Sequence, residues 1–183
     1  MATLIYVTNV SLDGCIEDAH GAFDWAPPDD DVFAAITTLV RSVGTFLYGR
    51  RLYETMKVWQ DWEPDDAVST EYGEIWRGID HVVYSRTLEE ASTPRTRIER
   101  EFDPQRVRAE VDALERDAVV GGATLAGIAM RAGIVDELRL VIVPHLVGGG
   151  TRAIPDGVSG PIRLLEERRF GNDAILLRYA MSA

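Results

Sequence analysis

The apolar run Ala118-Val119-Val120 stops at Gly121-Gly122, and Leu125, Ile128, Ala129 and Ala132 follow at helical spacing. A strand, a tight turn and a helix start are thus compressed into one short stretch, which leaves few ways to arrange the chain around it. Two glycines let the backbone turn sharply and approach a neighbour or ligand closely. The helix start presents unpaired N–H groups and the positive end of a dipole, which suit a phosphate, and Thr124 adds a hydroxyl. Two readings fit this stretch: a phosphate cradle, or a plain turn between packed elements.

The same pattern recurs along the chain. Leu4-Ile5-Tyr6-Val7 is a short apolar run rich in strand formers. Thr45-Phe46-Leu47-Tyr48 reads as a second strand and stops at Gly49-Arg50-Arg51-Leu52-Tyr53-Glu54. A third, His81-Val82-Val83-Tyr84, stops at Ser85-Arg86. Helices are expected between these strands. Asp29-Asp30-Asp31 opens one, with Val32, Ile36, Leu39, Val40 and Val43 at the spacing of one face. Val68 to Gly78 forms another, and Asp103-Pro104 starts a third with a capping aspartate and a proline at its first position. Thr96 to Phe102 is expected as a short strand, and Glu137 to Pro144 as a longer one. The segments Ile162–Phe170 and Ala174–Met181 flank Gly171-Asn172-Asp173 and read as a β-hairpin. Val10 to Pro28, anchored at its far end by Trp25 and Pro27-Pro28, is expected to be a long loop. Val58 to Pro64 and Gly148-Gly149-Gly150 are expected to be loops as well. Strands alternating with helices imply an α/β fold with a mainly parallel sheet, helices on both faces and an antiparallel edge. Gly49, Ser85 and Gly121 then fall along one edge, at the carboxyl ends of strands where ligands of such sheets bind.

Composition narrows the partners. The 183 residues are expected to form one domain, 1–183. No apolar run approaches the ~20 residues that cross a bilayer, the start lacks a basic leader region, and Cys15 is the single cysteine, which together predict a cytoplasmic protein with no membrane partner. A net charge of −11 argues against nucleic acid, and the arginines between Arg95 and Arg108 are interspersed with Glu99, Glu101 and Asp103. A small anion remains compatible, because bulk charge is screened beyond ~10 Å. Gly49-Arg50-Arg51 brings guanidinium forks that bind phosphates bidentately, Ser85-Arg86 a hydroxyl and another cation, and Gly121-Gly122-Ala123-Thr124 backbone N–H groups. The alternative for each arginine is a surface ion pair.

Four segments in order, Val10-Ser11-Leu12-Asp13-Gly14, Gly49-Arg50-Arg51-Leu52-Tyr53-Glu54, Val119-Val120-Gly121-Gly122-Ala123 and Asp136-Glu137-Leu138 with the strand into Pro144, resemble the dihydrofolate reductase-like family. Within it the chain is similar to the C-terminal reductase domain of the riboflavin-biosynthesis deaminase-reductase and its stand-alone bacterial relatives, from about Thr3 to Met181. The resemblance implies a three-layer fold with a mostly parallel sheet of about eight strands and a C-terminal hairpin. It also implies a homodimer, NADPH as cofactor and hydride transfer to a small pteridine- or pyrimidine-like substrate, as in 5-amino-6-(5-phosphoribosylamino)uracil reductase. Gly49 and Arg50 match the Gly-Arg turn whose arginine meets the adenosine 2′-phosphate, and Arg51 beside them is a further expected cofactor contact. Ser85 and Arg86 match the strand end beside the adenine ribose, and Gly121, Gly122, Ala123, Thr124 and Leu125 match the pyrophosphate loop. Val7, Thr8 and the loop from Ser11 to Ile16 match the segment against the nicotinamide. Asp13 matches a position that faces the substrate.

A proton donor for the reaction is expected at Asp13 or Asp31, with Asp30 and Trp25 beside the substrate. Helix capping is the competing explanation for Asp30 and Asp31, as a turn is for Asp13. Trp59 is a further candidate wall for an aromatic substrate. His20, His81 and His145 stand singly, with no metal-ligand spacing and no expected metal. Two departures stand out: Leu52 replaces a usual threonine, and Cys15 replaces a usual lysine. A non-catalytic nucleotide-binding protein on the same fold, and a true dihydrofolate reductase, are the alternative functions.

Overall fold

Six parallel strands form the centre of the sheet, and the C-terminal hairpin extends it at one edge. The computed structural model describes residues 1–25 and 29–181. Its main sheet has the order β5-β4-β3-β6-β1-β7-β10-β9. These strands are β1 (Leu4–Ser11), β3 (Val43–Gly49), β4 (Asp80–Tyr84), β5 (Thr96–Glu99), β6 (Asp117–Gly121), β7 (Glu137–Val143), β9 (Ile162–Arg169) and β10 (Ile175–Met181). All pairings from β5 to β7 are parallel; β10 is antiparallel to both β7 and β9. The expected α/β sheet of eight strands with an antiparallel hairpin is therefore present.

Alternation along the strands sorts the core into two layers. Leu4 and Tyr6 of β1 face α4 (Pro104–Asp112) and α5 (Ala123–Arg131), packing with Val107, Val111, Ala126 and Met130. Ile5 faces the other way, toward α2 (Arg50–Met56) and α3 (Ala67–Gly78), where Tyr53, Tyr72 and Trp76 are buried. On that side α1 (Asp30–Val40) straddles two clusters: Val40 joins the second layer, while Val32 and Ala35 pack on Val141, Phe170 and Leu176. Asp29 caps α1, its carboxylate accepting the Val32 N–H at 3.0 Å. Asp66 and Asp103 cap α3 and α4 in the same way.

Three expected loops differ. Val10 to Pro28 is not one long loop, because β1 continues through Ser11 and β2 (Cys15–Asp18) follows. β2 pairs antiparallel with β8 (Gly150–Arg152), so part of the expected Gly148–Gly150 loop is also a strand. Gly150 makes this ribbon possible: with φ +146°, a Cβ there would lie 2.0 Å from the Glu17 carbonyl oxygen. Val58 to Pro64 begins within a 3-10 turn, Lys57–Gln60. Pro27-Pro28 lies outside the described residues.

Candidate functional site

Register brings the three glycine- and serine-bearing strand ends together. Gly49 pairs with Tyr84, the residue before Ser85, and Tyr48 pairs with Gly121. The ends of β4, β3 and β6 are thus neighbours on the carboxyl edge of the sheet, followed by the ends of β1 and β7.

At β6, Gly122 has φ +83° and serves as the N-cap of α5 without any side-chain cap bond. The Ala126 N–H bonds to the Gly122 carbonyl. The amides of Ala123, Thr124 and Leu125 precede that bond and have no intrahelical acceptor. Thr124 is exposed beside them. Gly121 is buried, and a Cβ on it would stand 2.6 Å from Leu52 Cδ2. Leu52 therefore fills the gap between α2 and the Gly-Gly turn. This close approach demands glycine at 121, and the positive φ favours it at 122.

The two arginines after β3 diverge. Arg50 Nη1 donates to Thr87 Oγ1 at 3.1 Å, joining α2 to the segment after β4. Arg51 turns to β2, with Nη2 3.1 Å from Glu17 Oε2, and its side chain is 82% exposed. Ser85 Oγ accepts the N–H groups of Thr87 and Leu88 and so shapes its own turn. Arg86 is exposed next to it. Arg100 braces this turn by donating Nη1 to the Ser85 and Leu88 carbonyls. Thr87 and Arg100 carried no motif in the sequence; only the fold brings them to Arg50 and Ser85. Val7 and Thr8 occupy adjacent positions on β1 and so point to opposite faces: Val7 packs against the α2–α3 layer, and Thr8 donates its hydroxyl to the Asn9 carbonyl.

The candidate acids sit in two different surroundings. Asp13 accepts Ser11 Oγ–H at 2.7 Å, the Val147 N–H at 3.0 Å and the Gly148 N–H at 2.7 Å. The Ser11 hydroxyl, then these two amides, hold its carboxyl far below the usual carboxylate range. Asp13 is therefore held as an anion, and it clasps the segment after β7 through the Val147 and Gly148 amides. Asp31 is exposed and lines a groove between α1 and the β9–β10 hairpin, with Arg139, Glu166, Arg168 and Arg178. The structure does not bring it to the Asp13 clasp. Asp30, in the first turn of α1, is also exposed, three residues before Phe33 and hence on its face. Phe33 stacks near Trp59 with centroids 5.9 Å apart, and both pack against the cluster that also touches Val7, Leu52 and Met56.

Trp25 and His145 meet although 120 residues separate them in sequence. Their rings stack 5.3 Å apart at 11°, and the Trp25 indole N–H donates to the Ala22 carbonyl at 3.2 Å. His145 is fixed at its backbone, its N–H to the Val143 carbonyl and its carbonyl accepting the Leu12 N–H at 2.9 Å. His81, by contrast, is buried. Its Nε2 lies 3.1 Å from the Trp76 carbonyl and must donate, which leaves Nδ1 to accept the Tyr48 hydroxyl at 2.6 Å. Burial pushes its pKa down to about 4. His20 lies beside the β2–β8 ribbon with Glu17, Arg51 and Thr151.

Comparison with known proteins agrees with this fold. The chain is 27% identical over 179 residues to the uncharacterized protein YyaP of Bacillus subtilis (strain 168), a match spanning 93% of this chain and 90% of that one. Its fold is similar to that of a putative riboflavin biosynthesis protein from Shewanella sp. PV-4 (TM-score 0.77, 19% identity, 100% of both chains covered). It is also similar in fold to a dihydrofolate reductase from Enterococcus faecalis complexed with NADP(H) and RAB-propyl (TM-score 0.64, 14% identity, 97% of this chain and 95% of that one). The family model described as the RibD C-terminal domain matches residues 2–176, nearly the whole chain, and the protein accordingly belongs to the RibD C-terminal domain family.

Proposed function

We propose that this chain, acting as one domain, is an NADPH-dependent reductase that transfers hydride to a small pteridine- or pyrimidine-like acceptor. The observation that carries this reading is the convergence of anion-binding groups at the adjacent ends of β3, β4 and β6. The uncapped amides of Ala123, Thr124 and Leu125 behind the Gly121-Gly122 cradle fit a pyrophosphate. Arg50 and Arg86 fit an adenosine 2′-phosphate, with Ser85 at the ribose and Arg51 as an outlying cation. Val7 and Thr8, midway along β1, are assigned to the nicotinamide side.

NADPH, when bound, supplies the hydride; the protein orients it against the acceptor and keeps water away. On the acceptor side stand Asp30 and the Phe33–Trp59 wall, where α1 and the Lys57–Gln60 turn meet Tyr72 of α3, and Trp25 stands against His145 just after β7. Asp13 acts here as a positioning anion, holding the segment after β7, and Asp31 is left to the outer groove. Isothermal calorimetry at low salt tests the cofactor half, and NADPH oxidation with pteridine, pyrimidine and carbonyl acceptors tests the chemistry. Saturable NADPH binding with turnover supports the reading; no binding refutes it. Leu52, where a phosphate-facing hydroxyl is usual, favours a second reading, a non-catalytic nucleotide-binding protein. Binding without oxidation of any acceptor would select it.

A homodimer is part of the proposal. Opposite α1, strands β7, β10 and β9 present Ile142, Leu177, Tyr179, Ile175, Leu164 and Ile162 on one face. The last three are 38–46% exposed, and among the described residues no helix covers them. A second copy is the occupant that best suits such a face, because homodimer interfaces are the more apolar class. Sedimentation equilibrium tests it: a monomer at micromolar concentration would refute the dimer. No described helix is long and apolar enough to cross a membrane, and a reducing cytoplasm suits the buried thiol of Cys15.

A further inference from the structure

We infer that His145, backed by Trp25, is the stacking face on which the acceptor's heterocycle lies. The inference rests on the proposed reductase reading and adds the residue that recognises the acceptor. Three observations carry it. The imidazole is packed on one side by the Trp25 indole, nearly parallel at 11° and 5.3 Å, while the residue as a whole is exposed. Trp25 supports one face of the ring, and among the described residues no other ring stacks on it, which is the geometry of a stacking platform rather than of a core residue.

The platform is also rigid where it meets the sheet. Backbone bonds of His145 to Val143 and Leu12 fasten it to the ends of β7 and β1, and Asp13 grips the Val147 and Gly148 amides just beyond. A ring on a clamped backbone loses little freedom on binding. It stands on the same strand edge as the proposed cofactor site, at the ends of β1, which neighbours β6, and of β7 beyond it.

The third observation is the chemistry around it. Asp13 Oδ2 accepts one hydrogen bond, from Gly148, and a carboxylate oxygen has room for another. An acceptor with ring N–H groups next to carbonyls, as in a pteridine or pyrimidine lactam, satisfies both parts. Its π face lies on His145, and an N–H points to the carboxylate. An aliphatic carbonyl compound offers no π face to this platform. Leu12 and Leu146, 66% and 69% exposed, border it and keep its rim apolar.

The probe is lumazine, a fluorescent dioxopteridine, titrated by anisotropy into wild type, His145→Ala and His145→Phe, each with and without saturating NADPH. The wild type is expected to bind lumazine saturably. Stacking of a base on an aromatic side chain corresponds to roughly a 5- to 150-fold change in affinity. His145→Ala should therefore weaken lumazine about tenfold or more, and His145→Phe, which restores a π face, should stay within about threefold of wild type. NADPH affinity should be unchanged in both variants. Equal lumazine affinity in His145→Ala and wild type overturns the inference, as does absence of lumazine binding by the wild type. Failure of NADPH to bind overturns the cofactor reading separately, because the lumazine titration without NADPH still reports on His145.

Discussion

Acid should weaken this fold through His81 before most of its carboxylates titrate. In the folded chain the imidazole is neutral, donating Nε2–H to the Trp76 carbonyl and accepting the Tyr48 hydroxyl at Nδ1. Protonation would put a second donor against a hydroxyl and a cation among Phe46, Tyr48 and Trp76. Burial accordingly lowers its pKa from 6.5 to about 4. The unfolded chain, with the ordinary value, binds more protons between these limits, so stability is complete above pH 6.5 and falls as pH drops toward 4. At about 1.4 kcal/mol per unit, the loss reaches at most about 2 kcal/mol at pH 5 and about 3 kcal/mol at pH 4. Urea unfolding of wild type and His81→Gln at pH 7.5 and pH 5 isolates this contribution. The variant is less stable at both pH values, because Tyr48 and Trp76 lose their partner, but its stability should fall by about 2 kcal/mol less over the interval. Carboxylate titration is common to both proteins and cancels in the difference. Equal pH dependence of the two would refute the assignment of a neutral, buried His81.

Three further outcomes follow from the site. Gly121→Ala drives a methyl into Leu52 Cδ2 and should cost about 1–3 kcal/mol; combining it with Leu52→Ala should cost less than the sum of the singles, by 1 kcal/mol or more in urea unfolding. Arg50→Ala should weaken NADPH roughly 10- to 100-fold, the scale of a charge-assisted hydrogen bond, and NADH less than about threefold, measured by calorimetry; equal losses would put Arg50 elsewhere on the cofactor. Asp13→Asn halves the acceptor capacity of the clasp and should speed hydrogen exchange at the Val147 and Gly148 amides by about tenfold or more, whereas unchanged exchange would show that the segment after β7 holds itself.

Much of this architecture was legible because it is local. The Asp103-Pro104 start, the Asp29 cap and the Gly171-Asn172-Asp173 hairpin each depend on residues within a few positions. The structure has Asp103 accepting the Gln105 and Arg106 amides and Asn172 accepting that of Ala174. The common edge of Gly49, Ser85 and Gly121 followed from strand–helix alternation alone. What stayed hidden is long-range. The β2–β8 ribbon joins segments more than 130 residues apart, as in the Thr151–Glu17 bond, and its strands are too short for an alternation signal. The Asp13 clasp spans a similar distance. Neither the Trp25–His145 stack nor the turn of Arg51 away from Arg50 is encoded in any local spacing. The proposed cofactor half therefore rests on turns visible in the sequence, while the proposed acceptor half rests on contacts that only the folded chain creates.

The central claim is that NADPH lies across the ends of β3, β4 and β6. Amide chemical-shift mapping of the labelled protein during an NADPH titration tests it most directly. Saturable shifts are expected, concentrated at Gly122, Ala123, Thr124 and Leu125, with a second group at Arg50 and Ser85 to Thr87. Shifts confined to other surfaces, such as the groove of Asp31 and Arg139, or no shifts at all, would contradict it.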